Sequence, residues 1–408
     1  MYIKRMMEET IRRTAKSFKA VLLTGARQVG KSTLLAHLFP EREYATFDDP
    51  VLLEQARSEP GLFFQNHPAP LTLDEVQYIQ ELFPYIKIEC DRSEENGRYM
   101  LTGSQSFHLM RRVSESLAGR IAVLELGGLS LRELLGADFA RPFIPTREYI
   151  GERTKSPHEC GDLWRVIHRG SYPALCEADV DWTTYYASYV RTYIERDIND
   201  LMKVKDELKF TRFLSAMAAR TGQLLNYSKV AEQADVTPAT AKEWTSLLET
   251  SGIIYLLYPF SNSSLKRIIK TPKLYFRDTG LVCYLTRYPS PDVAMNGAMS
   301  GELFETFVVS EVLKSYTNAG LDPRMYLSYY RGRDKSRERE IDLLIEQGDM
   351  IWPVEIKLSA NPRLDMTNAF DVLDAIPGKK RGTGTILCRY PSPLWLNDRT
   401  VSLPVGYV

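Results

Sequence analysis

The sequence predicts an α/β protein in three parts. These are a parallel sheet core built around a phosphate-binding loop, a helical middle with a winged-helix-like segment, and a second α/β domain at the C-terminal end. Three observations predict this. The stretch from Val21 to Thr33 reads as an apolar run, then Gly-x-x-x-x-Gly-Lys-Ser, then the start of a helix. Two more apolar runs, Pro70 to Glu75 and Arg98 to Gln105, end in acidic or small polar residues. Farther on, two short helical patterns lead into a hairpin, and later strands carry Asp342, Glu355 and Lys357. Alternating strands and helices around the first motif argue for parallel strands covered on both faces.

The loop runs Gly25, Ala26, Arg27, Gln28, Val29, Gly30, Lys31, Ser32, Thr33. Gly25 and Gly30 can adopt backbone angles that a side chain would forbid, so successive N–H groups can turn inward around a phosphate. The helix after the loop adds its positive end and its unpaired N–H groups. Lys31 is expected to reach the β- and γ-phosphates, and Ser32 to offer its hydroxyl to Mg²⁺.

The run Leu71-Thr-Leu-Asp74-Glu75 supplies the acids such a site needs. Asp74 is expected to hold the hydration shell of Mg²⁺ near Ser32, and Glu75 to polarise the attacking water. The next strand ends in Thr102, Gly103, Ser104 and Gln105, of which Thr102, Ser104 or Gln105 could sense the γ-phosphate. Arg120, after Gly119, could neutralise transition-state charge in its own site or in a neighbour's.

Composition bounds the rest. A chain of 408 residues is expected to form two or more domains. The formal net charge is zero, so attraction to nucleic acid or membrane would have to come from local patches. Five scattered cysteines without CxxC pairing argue against a zinc site or a disulfide framework. There is no apolar signal core at the start and no run of ~20 apolar residues, so a cytoplasmic protein without membrane contact is expected.

Taken together, Gly25 to Ser32, Asp74-Glu75, the Leu-Thr-Gly-Ser strand end and Leu117-Ala-Gly-Arg120 resemble an AAA+-type ATPase core. More narrowly they resemble a prokaryotic family of AAA-type ATP-binding proteins with a DUF4143-type C-terminal region. Phe47-Asp-Asp-Pro50, Gly170-Ser-Tyr-Pro173 and Tyr193-Ile-Glu-Arg-Asp197 fit the same resemblance. It implies ATP and Mg²⁺ as ligands, with Glu75, Lys31 and Arg120 as catalytic residues.

Residues from about 146 to 206 read as mostly helical, with Tyr186, Tyr189 and Tyr193 at a spacing that favours core packing over base stacking. Residues 224–235 and 238–251 read as two helices, with Thr237 as N-cap and Pro238 at the first helical position. A hairpin comes next, so the layout matches a winged helix. Its wing carries Lys266, Arg267, Lys270, Lys273 and Arg277, a candidate phosphate-binding patch. Glu243 and Glu249 on the second helix would oppose it.

In the last part, Gly301 to Leu313 reads as a helix bearing Glu302 and Glu305. Asp342 lies in a strand, and Glu355-Ile-Lys357 in the next. This combination resembles the PD-(D/E)xK nuclease-like fold. The resemblance implies a second metal shared by Asp342 and Glu355, completed by Glu302 or Glu305, with Lys357 stabilising negative charge. Pro353 is expected to mark the start or the edge of its strand.

The expected division is an ATPase core at 1–145, a helical region at 146–206, a winged-helix-like segment at 207–280 and a nuclease-like domain at 281–408. The expected activity is Mg²⁺-dependent ATP binding and hydrolysis coupled to DNA binding or processing. The alternative is an ATP-gated switch acting on a protein partner, with an inactive C-terminal fold. A homo-oligomer is compatible with either.

Overall fold

A computed structural model of the chain describes residues 2–104, 109, 113, 115–176, 179–194, 207–261, 271–334 and 337–408. The side chains of 193, 194, 333, 334 and 337 are outside that description. Gln105, Lys266, Arg267, Lys270 and Arg196 to Ile198 therefore lie outside the described residues.

The first sheet has five parallel strands in the order β2-β3-β4-β1-β5. They are β1 Ala20–Thr24, β2 Glu43–Thr46, β3 Leu71–Asp74, β4 Tyr99–Thr102 and β5 Ile121–Glu125. Strand side chains alternate between faces, and here both faces are buried. Val21, Leu23 and Met100 join one core, whereas Ala20, Leu22, Tyr99 and Leu101 join another. The second face is covered by α3 Pro50–Ser58, α4 Pro60–Asn66 and α5 Phe83–Asp91. The first face packs on α1 Glu8–Ser17, α2 Lys31–Leu38 and the rest of the protein.

The first helix, α1, begins only at Glu8. Residues 2–7 instead run along the phosphate-binding loop, because Arg5 and the Met6 N–H are bonded to the buried carboxylate of Glu133. Glu133 stands in α6 Leu131–Leu134, where Ser130 and Glu133 close a capping box.

The middle contains α7 Arg147–Arg153, α8 Leu163–Arg169 and α9 Trp182–Tyr189. Tyr186 and Tyr189 are buried against Tyr172, which is core packing. Next come α10 Glu207–Ala218, α11 Tyr227–Ala234 and α12 Pro238–Thr250. Asn226 caps α11 at the Lys229 N–H (3.1 Å), and Thr237 caps α12 at the Thr240 N–H (3.1 Å). β6 Ile254–Leu257 and β7 Lys273–Phe276 then pair antiparallel.

After α13 Thr279–Leu285 and α14 Pro291–Asn296, α15 Ser300–Asn318 runs 19 residues with nearly every side chain buried. A helix buried all round must lie between layers. α15 does: Glu311 and Lys314 cap and brace the α6 turn, while its other end meets the C-terminal sheet. That sheet is mixed, in the order β13-β14-β12-β10-β9-β8 with β11 beside β10. Its strands are β8 Leu327–Asp334, β9 Arg337–Gln347, β10 Met350–Ile356, β11 Lys380–Arg381, β12 Gly384–Cys388, β13 Leu394–Asn397 and β14 Thr400–Pro404.

Pro353 corrects the expectation placed on it. β10 is a central strand, and Pro353 sits in its interior opposite Leu344. β11 pairs with residues 350–351 and β12 with residues 354–356. The proline falls in the gap between these two ladders, where a missing N–H interrupts neither of them.

Candidate functional site

The phosphate-binding loop follows β1 at the C-terminal edge of the parallel sheet and ends in the first turn of α2. Gly25 has φ +141° and Gly30 has φ +90°. A Cβ on Gly25 would stand 2.2 Å from the Leu126 carbonyl oxygen, so close strand packing demands glycine there. Gln28 also adopts a left-handed φ of 62°, a conformation that costs a non-glycine residue free energy and tightens the loop. Lys31 is 5% exposed, and its ammonium donates to the carbonyls of Gly25 (3.2 Å) and Ala26 (2.9 Å). Val29 packs in the core, and its carbonyl accepts from Arg5. Thr33 lines a cavity of about 180 Å³ with Tyr2, Ile3, Gly30, Pro173 and Cys176.

Asp74 closes β3 and gathers the hydroxyls of four residues. Its Oδ1 accepts from Ser32 at 2.6 Å and from Thr102. Its Oδ2 accepts from Tyr44 at 2.6 Å and, more weakly, from Thr46 at 3.4 Å. A buried carboxylate supplied with this many donors is fixed in one orientation. A serine hydroxyl and a carboxylate in such contact can fill neighbouring positions around hydrated Mg²⁺.

Glu75 follows with a left-handed φ of 58°, which swings its side chain out of the strand line. Gln77 donates to Glu75 Oε2 and accepts from the Ser104 N–H at 3.2 Å. The Ser104 hydroxyl is buried and has no hydrogen-bond partner among the described residues. The ends of β3 and β4 are therefore joined through one amide. Neither Tyr44 nor Gln77 is singled out by the sequence. A polar residue two positions after Glu75 is the available signal for Gln77; for Tyr44 there is none, because its role depends on β2 lying beside β3.

Arg120 stands elsewhere. It precedes β5, at the N-terminal edge of the sheet, and forms a two-point ion pair with Asp91 at 2.5 and 3.0 Å. A five-residue strand spans about 16 Å, so Arg120 is on the opposite edge from the loop. A role in the site of its own chain is corrected; any phosphate it reached would be bound to another copy.

The C-terminal constellation does assemble. Val354 faces Leu343 across β9 and β10, which sets Asp342 beside Glu355. α15 brings Glu305, not Glu302, to the same place. Lys357 Nζ bridges Asp342 Oδ2 (3.0 Å) and Glu355 Oε2 (2.5 Å). Lys273, expected in a basic wing, is instead buried against Glu305 (3.3 Å), Glu340 (2.7 Å) and Asp342 (3.6 Å). Arg277 is likewise paired, with Glu125 at the end of β5. Both are withdrawn from the expected phosphate-contacting patch, since each is needed to neutralise an acid inside the fold. Among the described residues no group of three or more His, Cys, Asp or Glu side chains is arranged to hold a metal ion.

Burial, together with the charge of Asp342, pushes Glu355 up to about 8 against the pull of Lys357. Burial and Asp342 likewise push Glu305 up to about 6, while burial of Asp342 is outweighed by Lys357 and Lys273, which hold it below its ordinary value. Glu355 thus binds a proton in the folded state that the unfolded chain has already lost. Its contribution is complete below the ordinary glutamate range and disappears as pH rises through about 8. Stability is expected to fall by about 2 kcal/mol between pH 6.5 and 8, at ~1.4 kcal/mol per unit. Urea unfolding at several pH values checks this against Glu355→Gln, which should flatten the slope. Equal slopes in the two proteins would remove the assignment.

Three segments of the chain match known domain families. Residues 17–135 match the AAA domain, and they hold the loop, Asp74, Glu75 and Ser104. The chain carries an AAA-type P-loop ATPase domain. Residues 160–292 match a domain of unknown function, DUF8612, and residues 300–408 match another, DUF4143. The AAA match ends just after α6, and the DUF4143 match opens at the first residue of α15. Uncharacterized proteins of Mycobacterium tuberculosis, Rv2008c, and Mycobacterium bovis, Mb2031c, are 28% identical over 367 residues. The alignment covers 89% of this chain and 76% of each relative. Among solved structures, the Walker-type ATPase PABY2304 of Pyrococcus abyssi is 14% identical with a TM-score of 0.40, over 68% of this chain and 94% of that one. AMPPCP-bound DnaA from Aquifex aeolicus is 14% identical with a TM-score of 0.29, over 60% and 85%. No helix of the described residues is long and apolar enough to cross a membrane.

Proposed function

We propose that the AAA-type domain binds MgATP at Gly25–Thr33 and hydrolyses it, and that the nucleotide state operates the C-terminal half as a switch on a protein partner. The observation that carries this reading is the linked grip on the two acids: Ser32 and Thr102 on Asp74, and Gln77 between Glu75 and Ser104. In this reading the loop amides and Lys31 hold the phosphates, and Ser32 and Asp74 hold Mg²⁺. The metal supplies charge neutralisation on the phosphate oxygens. Glu75 orients water and accepts its proton, and the buried Ser104 hydroxyl, which has no hydrogen-bond partner among the described residues, meets the γ-phosphate. The cavity walled by Tyr2, Ile3, Thr33 and Pro173 receives the base.

The path to the C-terminal half is short. Pro173 belongs to Gly170-Ser-Tyr-Pro173, whose Ser171 N–H and hydroxyl donate to Asp278 at 2.6 and 2.8 Å. Asp278 lies two residues beyond β7, and its neighbour Arg277 pairs with Glu125 of β5. A change at the base cavity therefore bears on the hairpin through few contacts.

The partner reading is favoured over DNA because Lys273 and Arg277 are paired with acids inside the fold, and because α12 displays Glu243 and ties Glu249 to Arg324 at 3.2 Å. The winged-helix layout of α11, α12 and the β6–β7 hairpin serves protein contact equally well. The deciding experiment is ATP hydrolysis by wild type and Glu75→Gln, with and without DNA, across a salt series. Turnover that is lost in the variant and indifferent to DNA is expected. Stimulation by DNA that collapses as salt rises would transfer the chain to the DNA-acting class.

A further inference from the structure

The nuclease-like resemblance implies a divalent cation at Asp342, Glu355 and Glu305, and the side chains do not fit that cation. Mg²⁺ needs carboxylate oxygens drawn in to about 2.1 Å around a near-octahedral centre. Here the oxygens already serve ammonium groups. Asp342 divides itself: Oδ1 faces Lys273 at 3.6 Å, while Oδ2 accepts from Lys357 at 3.0 Å and from the Ile356 N–H at 2.9 Å. Glu305 Oε1 accepts from Lys273 at 3.3 Å and from the Tyr275 hydroxyl at 2.6 Å. Glu355 is held by Lys357.

Lys357 belongs to the same strand region as the acids it meets. Lys273 does not. It opens β7, reaches the cluster from the hairpin, and is buried, with its ammonium 5.8 Å from the centre of the Tyr329 ring. A lysine buried that deeply persists only when carboxylates surround it. Three carboxylates from α15 and β9 do so, and among the described residues no other element brings one to it.

We propose that Lys273 is the resident cation of the C-terminal acidic cluster: its ammonium holds the place a divalent metal would need, and it locks the β6–β7 hairpin to α15 and β9. The cluster is a metal-independent clasp as the protein stands. It becomes a divalent-cation site only when the Lys273 ammonium is removed, and then on Glu305, Glu340 and Asp342 Oδ1, since Lys357 keeps Asp342 Oδ2 and Glu355. This inference is independent of the ATP reading above, since it concerns residues outside the nucleotide site.

The test is Mn²⁺ binding to the metal-stripped full-length protein without nucleotide, followed by paramagnetic resonance of free Mn²⁺, in wild type, Asp342→Asn, Lys273→Met and the double variant. Wild type and Asp342→Asn should bind the same number of ions, because any Mn²⁺ near Ser32 and Asp74 is common to both. Lys273→Met should gain one ion, and the double variant should lose it. The melting temperature of Lys273→Met should fall below that of wild type and rise again with Mn²⁺, as binding to the folded state requires. An ion bound by wild type and lost in Asp342→Asn would overturn the proposal, and so would a folded Lys273→Met that gains none. Should Lys273→Met fail to fold, the comparison of wild type with Asp342→Asn decides alone.

Discussion

Lys31→Ala is expected to weaken MgATP binding by at least about a hundredfold, read as the shift in Kd of a fluorescent ATP analogue. Lys31 brings a full positive charge into the ring of inward amides. Charge-assisted hydrogen bonds contribute about 1.5–3 kcal/mol each, and an ammonium reaching two phosphates makes two of them. The lysine is also positioned before any ligand arrives. Its donors rest on the Gly25 and Ala26 carbonyls within the loop, so binding exchanges partners without having to order a free chain. Glu75→Gln should part company with it, keeping affinity while turnover falls by roughly 10²–10⁴, the usual weight of a general base. Loss of affinity in both variants would mean that Glu75 supports the loop and not the water. Turnover unchanged in Glu75→Gln would remove it from the chemistry.

The contrast between loop and acids follows from how local each signal is. Gly25, Gly30, Lys31 and Ser32 act through one strand–turn–helix, so spacing alone places them. Asp74 and Glu75 stand at the end of β3, which β4 separates from β1, and are legible because an apolar run announces its own end. Tyr44, Gln77 and Arg5 are not, because each acts across a gap between segments that only the folded sheet closes. Lys273 and Arg277 show the opposite failure. Read along the chain they form part of a basic wing, yet the fold spends their charges on Glu305, Asp342 and Glu125. A run of like charges records composition; the acids that neutralise it can lie tens of residues away. Pro353 misleads for a related reason, since a central strand whose two parallel neighbours are short leaves room for a residue without an N–H.

Arg5→Ala is expected to destabilise the protein by about 3–5 kcal/mol, the usual loss when one member of a buried ion pair is removed. Arg5 is 4% exposed, and its guanidinium divides among three structures. Nε donates to Glu133 at 3.1 Å, one terminal nitrogen to the Val29 carbonyl at 2.8 Å, and the other to the Gly127 carbonyl at 2.7 Å. Truncation strands a buried Glu133 carboxylate, which among the described residues keeps its backbone donors from Met6 and Ser130. Arg5→Lys keeps the charge but loses the planar fork, so it should recover part of the stability and not all of it. The same substitutions should reach the nucleotide. Val29 lies inside the phosphate-binding loop, and Tyr2, Ile3 and Arg5 wall the adjoining cavity, so Arg5→Ala should raise the Kd for ATP although Arg5 is not expected to touch a phosphate. Urea unfolding with and without saturating ATP separates the two effects. If Arg5 positions the loop, ATP stabilises the variant less than it stabilises wild type, because linkage scales with affinity. An equal ATP increment in the two proteins would make Arg5 a purely structural anchor of the N-terminal segment.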